Sequence, residues 1–532
     1  MKAPNRSRNV AVAAMAIAIL AMTQIGLPAT QVTAASQTRG VPGPTAAGKR
    51  VDLRQLPPIK GDTPQQVREI PQLYPVDANS FGQLKAAANQ AAASKGHKPG
   101  SGTITSGPAP TFPTLDFTQT GGWNPPDAGL AVGPNSILVA LNEALGIYSK
   151  PTTTNPFALN TLVMFSSKDL FNTTDSVFDP RALYDAYNKR FVLLAVSQNG
   201  ANKTSYYQLA VSDTSDPPTV WTTFSIPAVT GSDGSAAWAD FPGLGMDANY
   251  IYITSNQFTF SNNTFQYARI LAIPKKSVYC TSGTCTATST SYPDLLNPDG
   301  STAFTVQPAN QPFATSSSTT PMYFVNALWS TGSQLVVRSI DSSGKLSGSA
   351  SVDVAPYTLP ADAPQPGHRA RKIDTGDDRL LGATMDANGV IYTANTTGAT
   401  NAAPNPYANA QWYAITPGSS DGSPTYGATT KAITSPTVAY YYPAVAATSS
   451  GAVGVEVSGS GSAQTASAFY IDSTGNATSY AGGVSGYTLS SRWGDYGAAA
   501  PDPSNTGKVW VLGEYAKYSN GWGTAVTQVP AP

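Results

Sequence analysis

Asp240-Phe241-Pro242-Gly243-Leu244-Gly245-Met246-Asp247, followed by Ile251-Tyr252-Ile253-Thr254, sets a pattern: small residues first, then an Asp turn, then an apolar strand. The pattern recurs. Upstream, Asp127 to Gly133 precedes Ile137 to Leu141, and Asp179 to Asp185 precedes Phe191 to Val196. Downstream, Arg379 to Asp386 precedes Val390 to Thr393, Tyr442 to Ala447 precedes Val453 to Val457, and Asp495 to Asp502 precedes Val509 to Leu512. The turn residues Asp185 and Asp247 lie 62 positions apart, as do Asp386 and Thr448. The longer gap between Asp247 and Asp386 holds a weaker copy, with Phe304 to Ala309, Met322 to Val325 and Leu335 to Val337. Units of this length, repeated about seven times, predict an all-β chain folded as a β-propeller of about seven blades, with six or eight as the neighbouring counts. Ala- and Gly-rich leading strands suit the crowded axis, and the apolar strands behind them suit blades packed face to face. One blade cannot bury both of its faces, so the repeats must close on themselves. Thr111 to Trp123 is expected to supply the outer strand of the last blade and latch the ring. Two stacked β-sandwiches are the alternative.

The remaining sequence frames this domain. The chain has 532 residues with 31 basic and 31 acidic side chains, a formal net charge of zero. That balance offers no basic surface for a phosphate backbone, so no nucleic-acid partner is expected. Charged residues make up only 12% of the chain, and turn formers fill the difference. Residues 1–35 read as a signal peptide. Lys2, Arg6 and Arg8 precede an apolar run from Val10 to Met22, and Val32-Thr33-Ala34 fits small-x-small cleavage. A non-cleaved anchor is the alternative for that run. No later apolar run is long enough to span a membrane, so a secreted, extracellular monomer is expected. Residues 36–110 read as a linker or propeptide-like arm, largely disordered, with one short helix across Gln83 to Ser94. The propeller is expected over 111–532. Cys280 and Cys285 bracket a Thr-Ser-Gly-Thr turn, and in an exported chain they predict a hairpin-loop disulfide.

At four motifs the chain resembles a group of secreted bacterial β-propeller proteins, loosely sialidase-like in fold. They are Ala131-Val132-Gly133-Pro134-Asn135, Asp179-Pro180-Arg181 with Leu183-Tyr184-Asp185, Asp240-Phe241-Pro242 with Leu244-Gly245, and Ser491-Arg492-Trp493-Gly494-Asp495-Tyr496. The resemblance covers about Thr111 to Val529 and implies a fold rather than an activity. The Ser-x-Asp-x-Gly-x-x-Trp turn of sialidases is approached by Thr384 to Gly389, where one extra residue precedes the Gly.

Charge is scarce, so its return at the start of successive repeats is informative. Asp127, Asp179, Asp240, Arg379, Tyr442, Arg492 and Asp495 should ring one end of the channel. One reading is structural: each Asp caps a strand and each Arg bridges blades. The other is functional. Asp127, Asp179, Asp240, Asp495 and Tyr442 are then the catalytic candidates. Arg181, Arg379 and Arg492 would grip a carboxylate by paired hydrogen bonds, and Trp493 would stack on a sugar ring. Asp179 and Asp240 are candidates for a structural calcium site; no other cofactor is expected. Only two histidines occur, His97 and His368, which excludes a His-rich metal site. No phosphate-binding loop is present. Two functions follow. The first is a binding scaffold for extracellular glycan, cell-envelope polymer or protein. The second is a sialidase-like glycoside hydrolase or lyase acting on an acidic sugar. An axial pocket with unpaired carboxylates would favour the second; an end closed by mutual Arg–Asp pairs would favour the first.

Overall fold

The computed structural model describes residues 38–61, 66–95, 110–152, 159–229, 236–280, 285–313, 320–367, 371–420, 423–472 and 475–530. The expected signal peptide, His97 and His368 lie outside the described residues.

Seven antiparallel groups of four strands succeed one another along the described chain, the fourth and fifth joined into one sheet by the parallel pairing of Ala309 and Asn310 with Ala383 and Thr384. Blade 1 is Gly129–Val132, Ser136–Leu141, Ala144–Ser149 and Asn160–Ser166. Blade 2 begins with Ser176–Asp185, blade 3 with Ala237–Met246 and blade 4 with Gln307–Asn310. Blade 5 begins with Leu380–Met385, blade 6 with Ala439–Ala447 and blade 7 with Ala498–Pro501. Each leading strand packs on that of the next blade, and the seventh packs on the first. The last blade is completed by Phe112–Asp116, whose Phe112 pairs with Val526 on Gly521–Pro530. The first and last parts of the domain thus share one sheet.

Ser136–Leu141 shows why the strands read as apolar runs. Ile137, Val139 and Leu141 pack with Trp510 and Leu512 of blade 7. Leu138 and Ala140 face the other way, against Phe191, Leu193 and Ala195 of blade 2. A strand buried on both faces loses the polar alternation of a half-exposed one. Close approach explains the glycine of Leu244-Gly245: a Cβ there would lie 2.6 Å from Met322 Cε and 2.8 Å from Pro308 Cβ on blade 4.

The leading strands share one irregularity. Register shifts fall between Phe178 and Arg181, Asp240 and Gly243, Leu380 and Ala383, and Tyr441 and Ala444. At three of these bulges a residue with positive φ precedes a proline: Asp179 (54°), Phe241 (49°) and Tyr442 (52°). Proline has no N–H to give to the ladder and so fits a bulge.

The expectation of a structureless arm over 36–110 does not hold for residues 38–61 and 66–95. Thr38–Arg39, Val41–Pro42 and Lys49–Asp52 add strands to the outer edges of blades 4, 3 and 2. Arg50 pairs with Asp213. These additions satisfy main-chain groups that sheet edges otherwise leave unpaired. Farther on, Arg68–Glu69 pairs in parallel with Trp123–Asn124. The helix spans Ala78–Ser94, five residues longer at its start than the sequence suggested, because Asp77 caps it by accepting from the Asn79 and Ser80 amides. Composition hid this, because the strand additions are short and bond through the main chain. Cys280 and Cys285 form the expected disulfide. No helix among the described residues is long and apolar enough to cross a membrane.

Candidate functional site

Asp179 and Asp240 sit at bulges of their leading strands, while Asp127, Arg379, Arg492 and Asp495 stand just before theirs, at the same end of the channel. Asp127, Asp179, Asp240, Arg379, Arg492 and Asp495 are all buried there. Their partners are mostly one another and the main chain. Asp127 accepts from Asn142 Nδ2 at 2.8 Å and from the Asp495 amide at 2.7 Å, which links blade 1 to the start of blade 7. Asp179 accepts from the Phe241 amide at 2.9 Å and gives its own amide to Asn142 Oδ1 at 2.8 Å. The same device recurs where Asn256 accepts from the Thr305 amide and Thr396 from the Tyr442 amide. Each left-handed amide is therefore held by a polar side chain of the preceding blade.

The guanidiniums do not converge on one space. Arg379 donates to both oxygens of Asp377, at 2.7 and 2.8 Å, and to the Leu73 carbonyl at 2.7 Å. Arg492 donates to Asp495 at 2.7 Å and to the Ile70 carbonyl at 3.1 Å. Leu73 and Ile70 belong to the N-terminal arm, which lies over this end. Lys85, on the arm's helix, donates to the Gly376 carbonyl at 2.7 Å and lies 3.1 Å from Asp362 and 3.6 Å from Asp374. Arg181 alone turns toward the channel. Its Nε and Nη1 donate to the Pro242 and Leu381 carbonyls, at 3.0 and 3.1 Å, on blades 3 and 5. Its guanidinium lies 3.3 Å from the ring centroid of Tyr496. Arg181 thus crosses the axis and divides the charged end from the rest of the channel.

Burial dominates the electrostatics of the carboxylates. Loss of water, reinforced by Asp495 and Asp179, pushes Asp127 well above the usual carboxylate range. Burial does the same to Asp179, with Asp240 and Asp495 adding to it. Burial raises Asp240 to about 7, although Arg379 opposes the shift. A carboxyl group in low dielectric keeps its proton unless a cation or several donors hold the charge.

Beyond Arg181 the channel widens into a cavity of about 420 Å³, lined by the leading strands of all seven blades. Its wall is mainly small and aliphatic: Ala128, Leu130, Ala182, Leu244, Leu381, Ala383, Ala444, Val445 and Ala498 to Ala500. Asp502 is the only acidic residue in that lining, and it is engaged by Lys150, Trp510 Nε1 and Gln528. Among the described residues no pair of free carboxylates faces this space.

The expected ligand contact at Trp493 is corrected. Trp493 is 0% exposed and donates to Ser458 Oγ, so it has no face for a sugar. Tyr442 is buried as well, and burial, with Asp374 and Asp495 nearby, pushes its phenol well up. The repeat marks both positions, but the sequence does not tell an inward side chain from an outward one. Among the described residues no three His, Cys, Asp or Glu side chains group as metal ligands, and Asp179 spends one oxygen on the Phe241 amide. The sequence reading missed Asp377, Asp378, Glu456 and Glu514. Asp377 and Asp378 stand directly before Arg379, a local signal. Glu456 and Glu514 are inward-facing charges on the second strands of blades 6 and 7, within otherwise apolar runs. Neither oxygen of Glu456 has a hydrogen-bond partner among the described residues.

No protein-family profile matches the sequence, and no curated relative matches it. Among solved structures, the chain is similar to an α-L-arabinofuranosidase from Fusarium graminearum, with a TM-score of 0.33 at 10% identity over 81% of this chain and 98% of that one. It is similar to a GH43 endo-arabinanase from Bacillus licheniformis, with a TM-score of 0.29 at 15% identity over 56% of this chain and 96% of that one. It is also similar to the Trypanosoma rangeli sialidase, with a TM-score of 0.33 at 10% identity over 75% of this chain and 59% of that one.

Proposed function

We propose that the protein is an extracellular binding propeller that takes a group of its glycan, envelope-polymer or protein partner into the axial cavity. The observation that carries this reading is the state of the charged end. Arg379 is held by Asp377 and Arg492 by Asp495, and the arm lies across both through the Leu73 and Ile70 carbonyls. Charges paired in this way fix geometry and are not presented to a substrate. The cavity, by contrast, has the size and the concave apolar form of ligand sites. Export is supported by the N-terminal leader sequence and the disulfide.

A second reading rests on Asp240. A carboxyl raised to about 7 suits a proton donor, so hydrolysis or lysis of a glycoside at the charged end remains the competing function. One experiment separates the two. The full chain is incubated with sialyl- and arabino-oligosaccharides while binding and product are both followed. The Gly382→Phe variant fills the cavity, because a Cβ at Gly382 meets nothing within 4 Å. Binding without product, lost in Gly382→Phe, supports the binding protein. Product formation lost in Asp240→Asn but kept in Gly382→Phe establishes the enzyme and overturns the first reading.

A further inference from the structure

Arg181 differs from its two counterparts in what it lacks. Arg379 and Arg492 each hold an aspartate, whereas the acceptors of Arg181 are the Pro242 and Leu381 carbonyls, both neutral. Nη2 of Arg181 has no acceptor. Asp179, two residues earlier, spends an oxygen on the Phe241 amide. A second donor stands on the same cavity wall. Gln307, on the leading strand of blade 4, is 2% exposed, and its Nε2 also has no acceptor. Both residues line the cavity. A buried donor without an acceptor is costly, and a cation beside an apolar wall more so. Much of the rest of the wall is alanine, leucine and valine, with Tyr184, Asn310, Thr384, Ser449 and Thr506 among them, so an apolar body finds more matching surface here than a fully hydrated one.

We propose that the axial cavity binds an amphiphilic carboxylate, its anionic head against Arg181 and Gln307 and its aliphatic body along the Ala383, Ala444 and Val445 wall. This rests on the reading that the cavity is the ligand site, and it narrows the ligand from any glycan or polymer group to one with an apolar body and a single negative charge. A carboxylate supplies acceptors to both free donors at once and neutralises Arg181 where water cannot, which makes a charge-assisted hydrogen bond strong. The aliphatic body gains by leaving water for a wall of matching polarity.

The test uses the full chain and three probes in isothermal titration: octanoate, its neutral counterpart octanamide, and glucuronate, which has the carboxylate without the apolar body. Octanoate should bind at least about tenfold more tightly than either of the others. Arg181→Met should remove that advantage. Because Arg181 also ties blades 3 and 5 together, Gln307→Leu provides a second variant outside that link. It should weaken octanoate several-fold, with melting unchanged. Equal binding of octanoate and octanamide, tighter binding of glucuronate, or octanoate binding indifferent to Gln307→Leu overturns the carboxylate assignment while the cavity reading stands. If no probe binds, the carboxylate assignment falls; if octanoate binds and Gly382→Phe leaves that binding intact, the cavity is not the site and both readings fall.

Discussion

Arg492 and Asp495 show what one buried pair does in this chain. Both are nearly inaccessible, and Asp495 also gives its amide to Asp127 across the junction of blades 7 and 1. Arg492→Ala leaves that carboxylate without its cation, so it should cost about 3–5 kcal/mol in chemical denaturation. An unchanged denaturation midpoint would mean that the pair is solvated. The unpaired carboxyls predict a pH dependence. Burial raises Asp240 to about 7 and, with Asp377 beside it, raises Asp378 to about 8. Unfolded, such groups titrate near about 4. Between those values the folded chain holds protons that the unfolded chain releases. Their stabilising contribution is therefore complete below about pH 4 and is lost as pH rises through about 7 and 8. Asp116 and Asp374, which Lys517 and Lys85 hold low against their burial, act below this window. Thermal melts from about pH 4 to about pH 9 should show Tm falling on the alkaline side, and Asp378→Asn should flatten the upper part of the fall. A wild-type Tm that climbs across the whole range contradicts this.

At the scale of elements, the chain uses glycine in two opposite ways. Gly461, on the second strand of blade 6, lies so close to the Thr437 carbonyl that a Cβ would collide with main chain. Gly461→Ala should destabilise by about 1–3 kcal/mol, because the backbone must shift to make room. Gly82 sits inside the helix Ala78–Ser94, where an added Cβ meets nothing within 4 Å. Gly82→Ala should favour the helix by about 1 kcal/mol. Amide exchange across 78–94 reads this directly: slower exchange in the alanine variant is expected, and faster exchange would show that the glycine serves a contact. The repeated bulge is the other recurring element. In blades 2, 3 and 6 it turns the leading strand so that a polar side chain of the preceding blade holds a left-handed amide, as Asn142 holds Asp179, Asp179 holds Phe241 and Thr396 holds Tyr442.

At the scale of the molecule, the arm and the ring are one structure over the described residues. Lys49–Asp52 bonds along Val220–Pro227, Leu53 is buried, and Lys85 reaches the loop at Asp374 and Gly376. The amides of Lys49–Asp52 should therefore exchange as slowly as those of their partner strand in blade 2, as measured by mass spectrometry on the intact chain. Exchange at the rate of an unstructured peptide would return the arm to the role of a linker. The same arm decides the chemistry of the charged end, because its carbonyls at Ile70 and Leu73 take the places at Arg492 and Arg379 that an outside ligand would need.

The amino-acid sequence by itself determined the repeat, the all-β class, the pairing of Cys280 with Cys285, and the placing of acidic and basic residues at the starts of leading strands. Each of these is local: a period of turns and apolar runs, a short cysteine spacing, a charge beside a Pro. Only the tertiary structure decided which charges are spent on one another and which space stays open. Arg181 meets a carbonyl 200 positions away, and Arg492 meets one 422 positions away. Those acceptors are main-chain oxygens, which every residue carries, so nothing in the sequence marks Leu381 or Ile70 as a partner. Burial acts the same way. It makes Trp493 a core residue and raises Asp240 above the usual carboxylate range, and it is a property of the closed ring rather than of any one blade.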